Sequence, residues 1–305
     1  MLLFLEQLLN GLQLGITLFL MSAGLTLVFG IMRVINLAHG SFYMIGAYVG
    51  ATAMATTGSF LLGLAAALPA AALVGMAVEW LVLRHLYDRD HLDQVLATFG
   101  LIMFFNESAR MIWGRQPLFM DVPSWLAGHV TIVDGLSYPV YRLAVIVAGL
   151  AVAVFLWFLF ARTRLGMRIR AGATNREMVG ALGVNISLLY TLVFGLGALL
   201  AGLAGVMAGP ILAVESGMGE SILILTFVVI VIGGIGSVKG AVVGALLVGL
   251  VDTLGRAFLP TLLRLAFDSS TADTAGSSLA SMAIYILMAM VLLWKPSGLF
   301  PVQSA

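Results

Sequence analysis

Long apolar runs follow one another along nearly the whole chain and are separated by short polar stretches. A helix that crosses the hydrocarbon core of a bilayer needs about 20 mostly apolar residues. The run at 221–233 is short and ends in GGIGS, so it indicates a half-helix or a helix that continues across the break. The predicted fold is an all-α polytopic membrane protein of one domain, residues 1–305, with about 8 or 9 transmembrane helices and two interrupted segments. The candidate membrane segments lie at 8–32, 41–57, 60–83, 95–113, 140–160, 188–208, 221–233, 240–259 and 279–294.

Composition agrees with a chain surrounded by lipid. Hydrophobic residues make up 61% and charged residues 10%, against about 45 to 50% and about 25% in soluble domains. The net charge of +1 provides no basic field for nucleic acid. Cysteine is absent from the sequence, which excludes disulfides and thiolate metal sites.

Basic residues in short loops predict the orientation, because Lys and Arg are retained on the cytoplasmic side. Five arginines make the 161–187 connection cytoplasmic, and counting crossings from it places Arg84, Arg89 and Lys295 on the same side. The count places the loops 114–139, 209–220 and 260–278 outside, the C-terminus in the cytoplasm and the N-terminus in the periplasm. The five arginines are Arg162, Arg164, Arg168, Arg170 and Arg176.

The 161–187 connection also predicts a docking element. Thr174 and Glu177 have the T-x-x-E spacing of a capping box, which would start a short helix. Met178, Val179 and Leu182 would share one side of that helix, and Gly183 would end it. The apolar side could occupy a groove of a soluble partner or lie on lipid headgroups, and the residues alone leave both open.

Two glycine-containing breaks interrupt the apolar pattern, at 35–40 and 233–240. Backbone freed in a membrane is tolerated only where protein or a water-filled cavity satisfies it, so we expect the breaks to border a translocation pathway in an internal repeat. The crossing count favours a parallel repeat over an inverted one, and short re-entrant turns that only help packing are the alternative. The pathway residues we predict are Asn36, His39, Gly40, Gly46, Gly233, Gly234, Gly236, Ser237, Gly240 and Gly244.

The polar residues within the spans have structural interpretations. We expect His39 to be a structural hydrogen-bonding residue, with a proton relay as the alternative, and Lys239 to be an interfacial anchor, with a gate residue as the alternative. Glu107 with Arg110 and Asp252 with Arg256 have helical spacings that favour internal ion pairs. A stripe of small residues would let another helix approach closely, within this chain or in a partner. The stripe consists of Ala198, Gly202, Gly205 and Gly209.

Several long runs resemble the permeases of branched-chain amino-acid ABC importers, the LivH-like subunit. INLAHGSFYMIGAYVG, DQVLATFGLIMFFNESARMIWG, GLAGVMAGPI and IGGIGSVKGAVVGALLVGLVDTL occur in the family's order, with FARTRLGMRIRAGATNREMVGALGVN between the second and third. The resemblance implies a single transmembrane permease domain whose loop at 171–183 couples it to an ATPase. Permeases for urea and short-chain amides share these motifs, so that substrate class stays open. The coupling residues carried over are Ala171, Thr174, Glu177, Met178, Leu182 and Gly183.

The resemblance also implies partners. These are a second, LivM-like permease in a heterodimer, two LivG- and LivF-like ATPases, a periplasmic binding protein and membrane lipid, at the bacterial inner membrane. The sequence lacks the G-x-x-x-x-G-K-[ST] loop that cradles phosphates, so we expect a non-catalytic subunit, with ATP and Mg held by the ATPases and no cofactor or metal in this chain. A stand-alone secondary carrier or channel is the alternative from another class. A membrane-embedded enzyme is disfavoured because no H-E-x-x-H or G-x-S-x-G motif occurs.

Overall fold

A computed structural model describes residues 1–32 and 34–301 of the chain. Within them lie α1 (Leu2–Met32), α2 (His39–Thr57), α3 (Phe60–Leu81), α4 (His91–Trp113), β1 (His129–Val133), β2 (Leu136–Pro139), α5 (Val140–Arg162), α6 (Arg164–Thr174), α7 (Arg176–Ala181), α8 (Ile186–Ala208), α9 (Met218–Gly233), α10 (Val238–Leu263) and α11 (Ser269–Trp294). Single 3-10 turns lie at Leu83–Leu86 and Ser124–Leu126.

The prediction of an all-α polytopic membrane protein is confirmed. Among the described residues, seven helices are long and apolar enough to span a membrane, namely α1, α3, α4, α5, α8, α10 and α11. The other two predicted segments form α2 and the 16-residue α9. At about 1.5 Å per residue α9 is shorter than the ~30 Å hydrocarbon core. The antiparallel hairpin of β1 and β2 was not predicted from the sequence and lies in the predicted outer loop.

Loops that meet in space define two ends of the bundle. The basic end consists of residues 82–90, 163–185, 234–237 and 295–301, and the acidic end of residues 114–139, 209–217 and 264–268. At the acidic end Leu118 and Val214 exchange backbone hydrogen bonds of 2.9 Å. At the basic end Arg176 lies 3.5 Å from Asp88. The loops are therefore grouped at the two ends of the bundle as the crossing count predicts.

Two helices form the centre of the bundle. The apolar window of α1 is 83% buried and that of α8 is 56% buried, whereas those of α4 and α11 are only 17% buried. Where α1 and α8 cross, a Cβ on Gly24 would lie 2.5 Å from the carbonyl oxygen of Gly197. Lipid provides no hydrophobic drive for helix association, so close backbone packing at small residues has to hold this crossing together.

The internal repeat is inverted, which corrects the parallel arrangement favoured by the sequence. The first turns of α2 and α9 meet, because a Cβ on Gly40 would lie 2.2 Å from the Gly219 carbonyl oxygen. From there α2 runs to the acidic end and α9 to the basic end. Packing follows the same symmetry, since α1 packs on α10 as α8 packs on α3. The counterpart of the break at 34–38 is therefore the loop at 209–217, which the crossing count treated as an ordinary external loop.

Candidate functional site: helix breaks and coupling surface

Side chains accept two backbone N–H groups of the first break. Between α1 and α2 the Asn36 Oδ1 accepts the Ala38 N–H at 3.0 Å, and the Gln94 Oε1 accepts the Ile35 N–H at 3.4 Å. Gln94 is buried and donates in turn to the carbonyls of Leu86 and Arg89. Two of the backbone N–H groups freed from the helix, those of Ile35 and Ala38, are thus satisfied by side chains within the membrane.

His39 and Gly40 begin α2 halfway along the bundle. The His39 Nε2 lies 3.3 Å from the Met21 carbonyl oxygen, and the ring is completely buried. This is the hydrogen-bonding contact expected of a structural histidine. A Cβ on Gly24 would lie 3.0 Å from the same Nε2, so the start of α2 is level with the crossing of α1 and α8.

The second break lies at the basic end and away from the Gly40–Gly219 contact. Gly234 and Gly236 have φ values of 103° and 83°, which favour glycine, and the Ser237 Oγ caps α10 by accepting the Gly240 N–H at 3.1 Å. Gly240 packs on Gly233, since a Cβ on Gly240 would lie 2.1 Å from the Gly233 carbonyl oxygen. The first break also borders this end, since a Cβ on Gly30 would lie 3.3 Å from the Gly236 Cα, but only the first break leads to the Gly40–Gly219 contact.

The small residues near the breaks make backbone contacts inside the chain. A Cβ on Gly46 would lie 2.4 Å from the Gly202 carbonyl oxygen, and one on Gly244 would lie 2.5 Å from that of Val229. A Cβ on Gly205 would likewise overlap the Tyr43 carbonyl oxygen. The stripe therefore packs within this chain, with Gly209 against Met120 and its other members against α2 and α3, which settles the alternative that the sequence left open.

The coupling loop contains two helices, of which the sequence predicted one. Asn175, not Thr174, caps α7, because its Oδ1 accepts the Met178 N–H at 2.9 Å. The Thr174 hydroxyl instead donates to the Arg170 carbonyl at 3.0 Å, inside α6. The predicted capping box is therefore wrong in its cap, although Glu177 does lie in the first turn. Gly183 has a φ of 84° just after α7, so the predicted stop is confirmed.

The predicted coupling residues share one property: they all face outward. Met178 is 58% exposed and Leu182 77% exposed, while Val179 is buried against the rest of the chain. Val179 therefore anchors α7, and the apolar surface left free is smaller than the sequence predicted. The exposed members are Ala171, Thr174, Glu177, Met178, Leu182 and Gly183.

A buried carboxylate that the sequence analysis missed lies behind this loop. Glu79, in the last turn of α3, is fully buried, and its Oε2 accepts from the Thr191 hydroxyl at 2.6 Å and lies 3.3 Å from an Arg84 guanidinium nitrogen. The Tyr87 hydroxyl donates to its Oε1 at 2.5 Å. Burial, and then the hydrogen bond to Glu79, raise the pKa of Tyr87. We call these four residues the Glu79 cluster. Glu79 and Arg84 are five residues apart, which is not a helical ion-pair spacing. Their ion pair was therefore not predicted from the sequence.

Both ion pairs predicted from helical spacing are confirmed. Glu107 and Arg110 lie 3.4 Å apart on an exposed face, and the buried Asp252 receives Arg256 at 2.9 Å. Glu220, by contrast, was assigned to an outer loop but lies in the first turn of α9, where Asn106 donates to its Oε1.

Interrupted helices that meet inside a bundle of apolar spans, with an exposed helical loop at one end, define a multi-pass membrane permease. The sequence profile described as "Branched-chain amino acid transport system / permease component" matches residues 7–293, and the chain belongs to that family. The permease protein BraD of Pseudomonas aeruginosa is 29% identical over 97% of this chain and 95% of its own length. LivH of Escherichia coli K12 is 31% identical over 85% and 88%, and a LivH of Methanocaldococcus jannaschii is 25% identical over 77% and 76%. No solved structure matches the chain significantly.

Proposed function

We propose that this chain is the transmembrane permease subunit of an ATP-binding-cassette importer, and that it forms the translocation path for branched-chain or other aliphatic amino acids. The observation that carries the proposal is the match, along nearly the whole chain, to BraD and LivH, whose names assign them to high-affinity branched-chain amino acid transport systems. The arrangement of spans around central helix ends supports the same role.

Transport energy comes from other chains. The partners are a LivM-like second permease, two LivG- and LivF-like ATPases that bind ATP and Mg, and a binding protein in the periplasm. The exposed α6 and α7, flanked by arginines, provide the ATPases with a surface at the basic end. The coupling residues from Ala171 to Gly183 are the contact set in this proposal.

The basic end faces the cytoplasm of a bacterial inner membrane. Retention of Lys and Arg on that side supports this orientation, and it places the N-terminus in the periplasm and the C-terminus in the cytoplasm. The path runs past the start of α2, where Asn36, His39, Gly40 and Gly46 lie. Gly233 to Gly244 then border its cytoplasmic end.

Reconstituted uptake tests the proposal. The permease and its partner subunits are incorporated into proteoliposomes with binding protein and radiolabelled leucine outside and ATP inside. We expect leucine uptake only when both ATPases and ATP are present. Uptake driven by an ion gradient with this chain alone would instead identify a stand-alone carrier.

A further inference from the structure

A narrow crevice lies where the first turns of α2 and α9 meet the middle of α4. About 180 Å³ there is not occupied by protein atoms, a volume that includes open solvent, and none of it admits a water molecule. The Gly40–Gly219 backbone contact forms one wall. Discontinuous helices of transporters commonly place solute sites at such mid-membrane helix ends.

One side of the crevice is polar and contains a carboxylate. Glu220 and Asn106 line it, joined by their hydrogen bond. Ser41 also lines it and is only 4% exposed, yet its hydroxyl makes no hydrogen bond to any residue of the described ranges. The Gly40 N–H, in the first turn of α2, has no acceptor within the same ranges. A buried N–H without a partner is costly, and the Ser41 hydroxyl is free to donate, which points to a ligand that supplies acceptors.

The opposite side is apolar. Leu37, Met44 and Ile102 line it. The start of α2 adds the positive end of a helix dipole, so a carboxylate, an anion-binding helix end and an aliphatic wall surround one small space. Those three features match, in the same order, the ammonium group, the carboxylate and the side chain of one class of small solute.

We propose that this crevice, once opened, holds the zwitterionic head group of an aliphatic α-amino acid. Glu220 receives the ammonium group, the Gly40 N–H and Ser41 hydroxyl receive the carboxylate, and the side chain lies along Leu37, Met44 and Ile102. The inference rests on the proposed function and names the solute-contacting residues within it.

The structure corresponds to the closed form of this site. The backbones of Gly40 and Gly219 touch, so the solute enters only when the first turns of α2 and α9 separate. Because the two helices run to opposite ends of the bundle, a movement that starts at the basic end can separate them through α9.

Replacement of the carboxylate tests the ammonium contact. Glu220→Gln keeps the acceptor for Asn106 but removes the charge, so the fold is retained. In the complete reconstituted importer we expect leucine uptake per ATP hydrolysed to fall about tenfold or more, the effect of losing a charge-assisted hydrogen bond. Glu107→Gln is the matched control, an exposed carboxylate outside the crevice that should keep uptake within about twofold of wild type, as exposed ion pairs contribute little.

Thiol labelling tests whether the solute reaches the crevice, and the cysteine-free chain makes each introduced thiol unique. We expect Ser41→Cys to react with a small methanethiosulfonate during ATP turnover and to be protected by leucine-loaded binding protein. Ser22→Cys, fully buried within α1, should stay unreactive. Wild-type uptake by Glu220→Gln, or labelling of Ser41→Cys that leucine does not change, would overturn the inference. Absence of ATP-dependent uptake by the wild-type importer would instead refute the proposed function.

Discussion

The Tyr87 hydroxyl donates a hydrogen bond of 2.5 Å to the Glu79 carboxylate, which is completely buried at the end of α3. The same carboxylate accepts from Thr191, in the second turn of α8, which follows the coupling loop. Glu79 therefore ties α3 to α8 at the end of the bundle where we place the ATPases. The carboxylate also lies close to α7, because Arg176 of α7 is 3.5 Å from Asp88, the neighbour of Tyr87.

The Glu79 cluster predicts a stability loss when its cation is removed. Arg84→Met leaves a buried carboxylate without a countercharge. We expect the free energy of unfolding to fall by roughly 2 kcal/mol, which is less than for a fully buried pair because the Arg84 side chain is 33% exposed. Thermal unfolding in detergent measures the loss. Glu79→Gln combined with Arg84→Met should recover most of it, because no unpaired charge remains. Equal loss in the single and double variants would contradict the ion-pair account.

The close approach of α2 and α8 predicts sensitivity to a single methyl group. A Cβ on Gly46 would lie 2.4 Å from backbone atoms of Gly202, so Gly46→Ala forces the helices apart and should lower both thermal stability and uptake. Gly100→Ala is the matched control, since a Cβ there meets nothing within 4 Å. It should be neutral or stabilise by up to about 1 kcal/mol through helix propensity. Equal behaviour of the two variants would remove the packing argument.

The exposed apolar residues of α7 predict a loss of coupling. Met178→Asp and Leu182→Asp alter outward-facing side chains, so insertion and folding should be retained. We expect ATP-dependent uptake to fall about tenfold while the ATPases still hydrolyse ATP, because a charge opposes burial in a partner groove. Leu265→Asp, at a position that is more exposed than either but lies at the acidic end, is the control. Full coupling in both α7 variants would exclude this surface from ATPase contact.

The cap of α7 predicts that substitutions of Asn175 and Thr174 affect the stability of the helix differently. Asn175→Ala removes the acceptor for the Met178 N–H and should destabilise α7 locally by about 1 kcal/mol. Hydrogen exchange of the α7 amides then accelerates about fivefold. Thr174→Val removes only a hydroxyl bonded within α6 and should leave that exchange unchanged. Faster exchange in Thr174→Val alone would restore the capping box predicted from the sequence.

The membrane segments could be predicted from the sequence because each is a continuous run of mostly apolar residues. Both internal ion pairs could be predicted for the same reason, since Asp252 and Arg256 are neighbours on one helix. The partners of Glu79 and Glu220 could not, because Thr191 and Asn106 are brought close only by the packing of distant helices. Asn175 was missed because Thr174 satisfies the same motif, and the choice between them depends on where α6 ends.

The direction of the repeat escaped prediction for a related reason. The glycines at 233–240 are the more conspicuous break, whereas the loop at 209–217 that pairs with 34–38 is mostly apolar and contains only two glycines. Only the contact between Gly40 and Gly219 identifies the true counterparts.

The last described residues also complete α9. Leu299 and Phe300 donate their N–H groups, each at 2.9 Å, to the carbonyls of Ile232 and Gly233, which the helix itself cannot satisfy. A truncation before residue 299 would remove both donors. Affinity tags for purification should therefore be placed after this short tail. A clone that ends before residue 299 would be expected to express poorly, although the deletion is small.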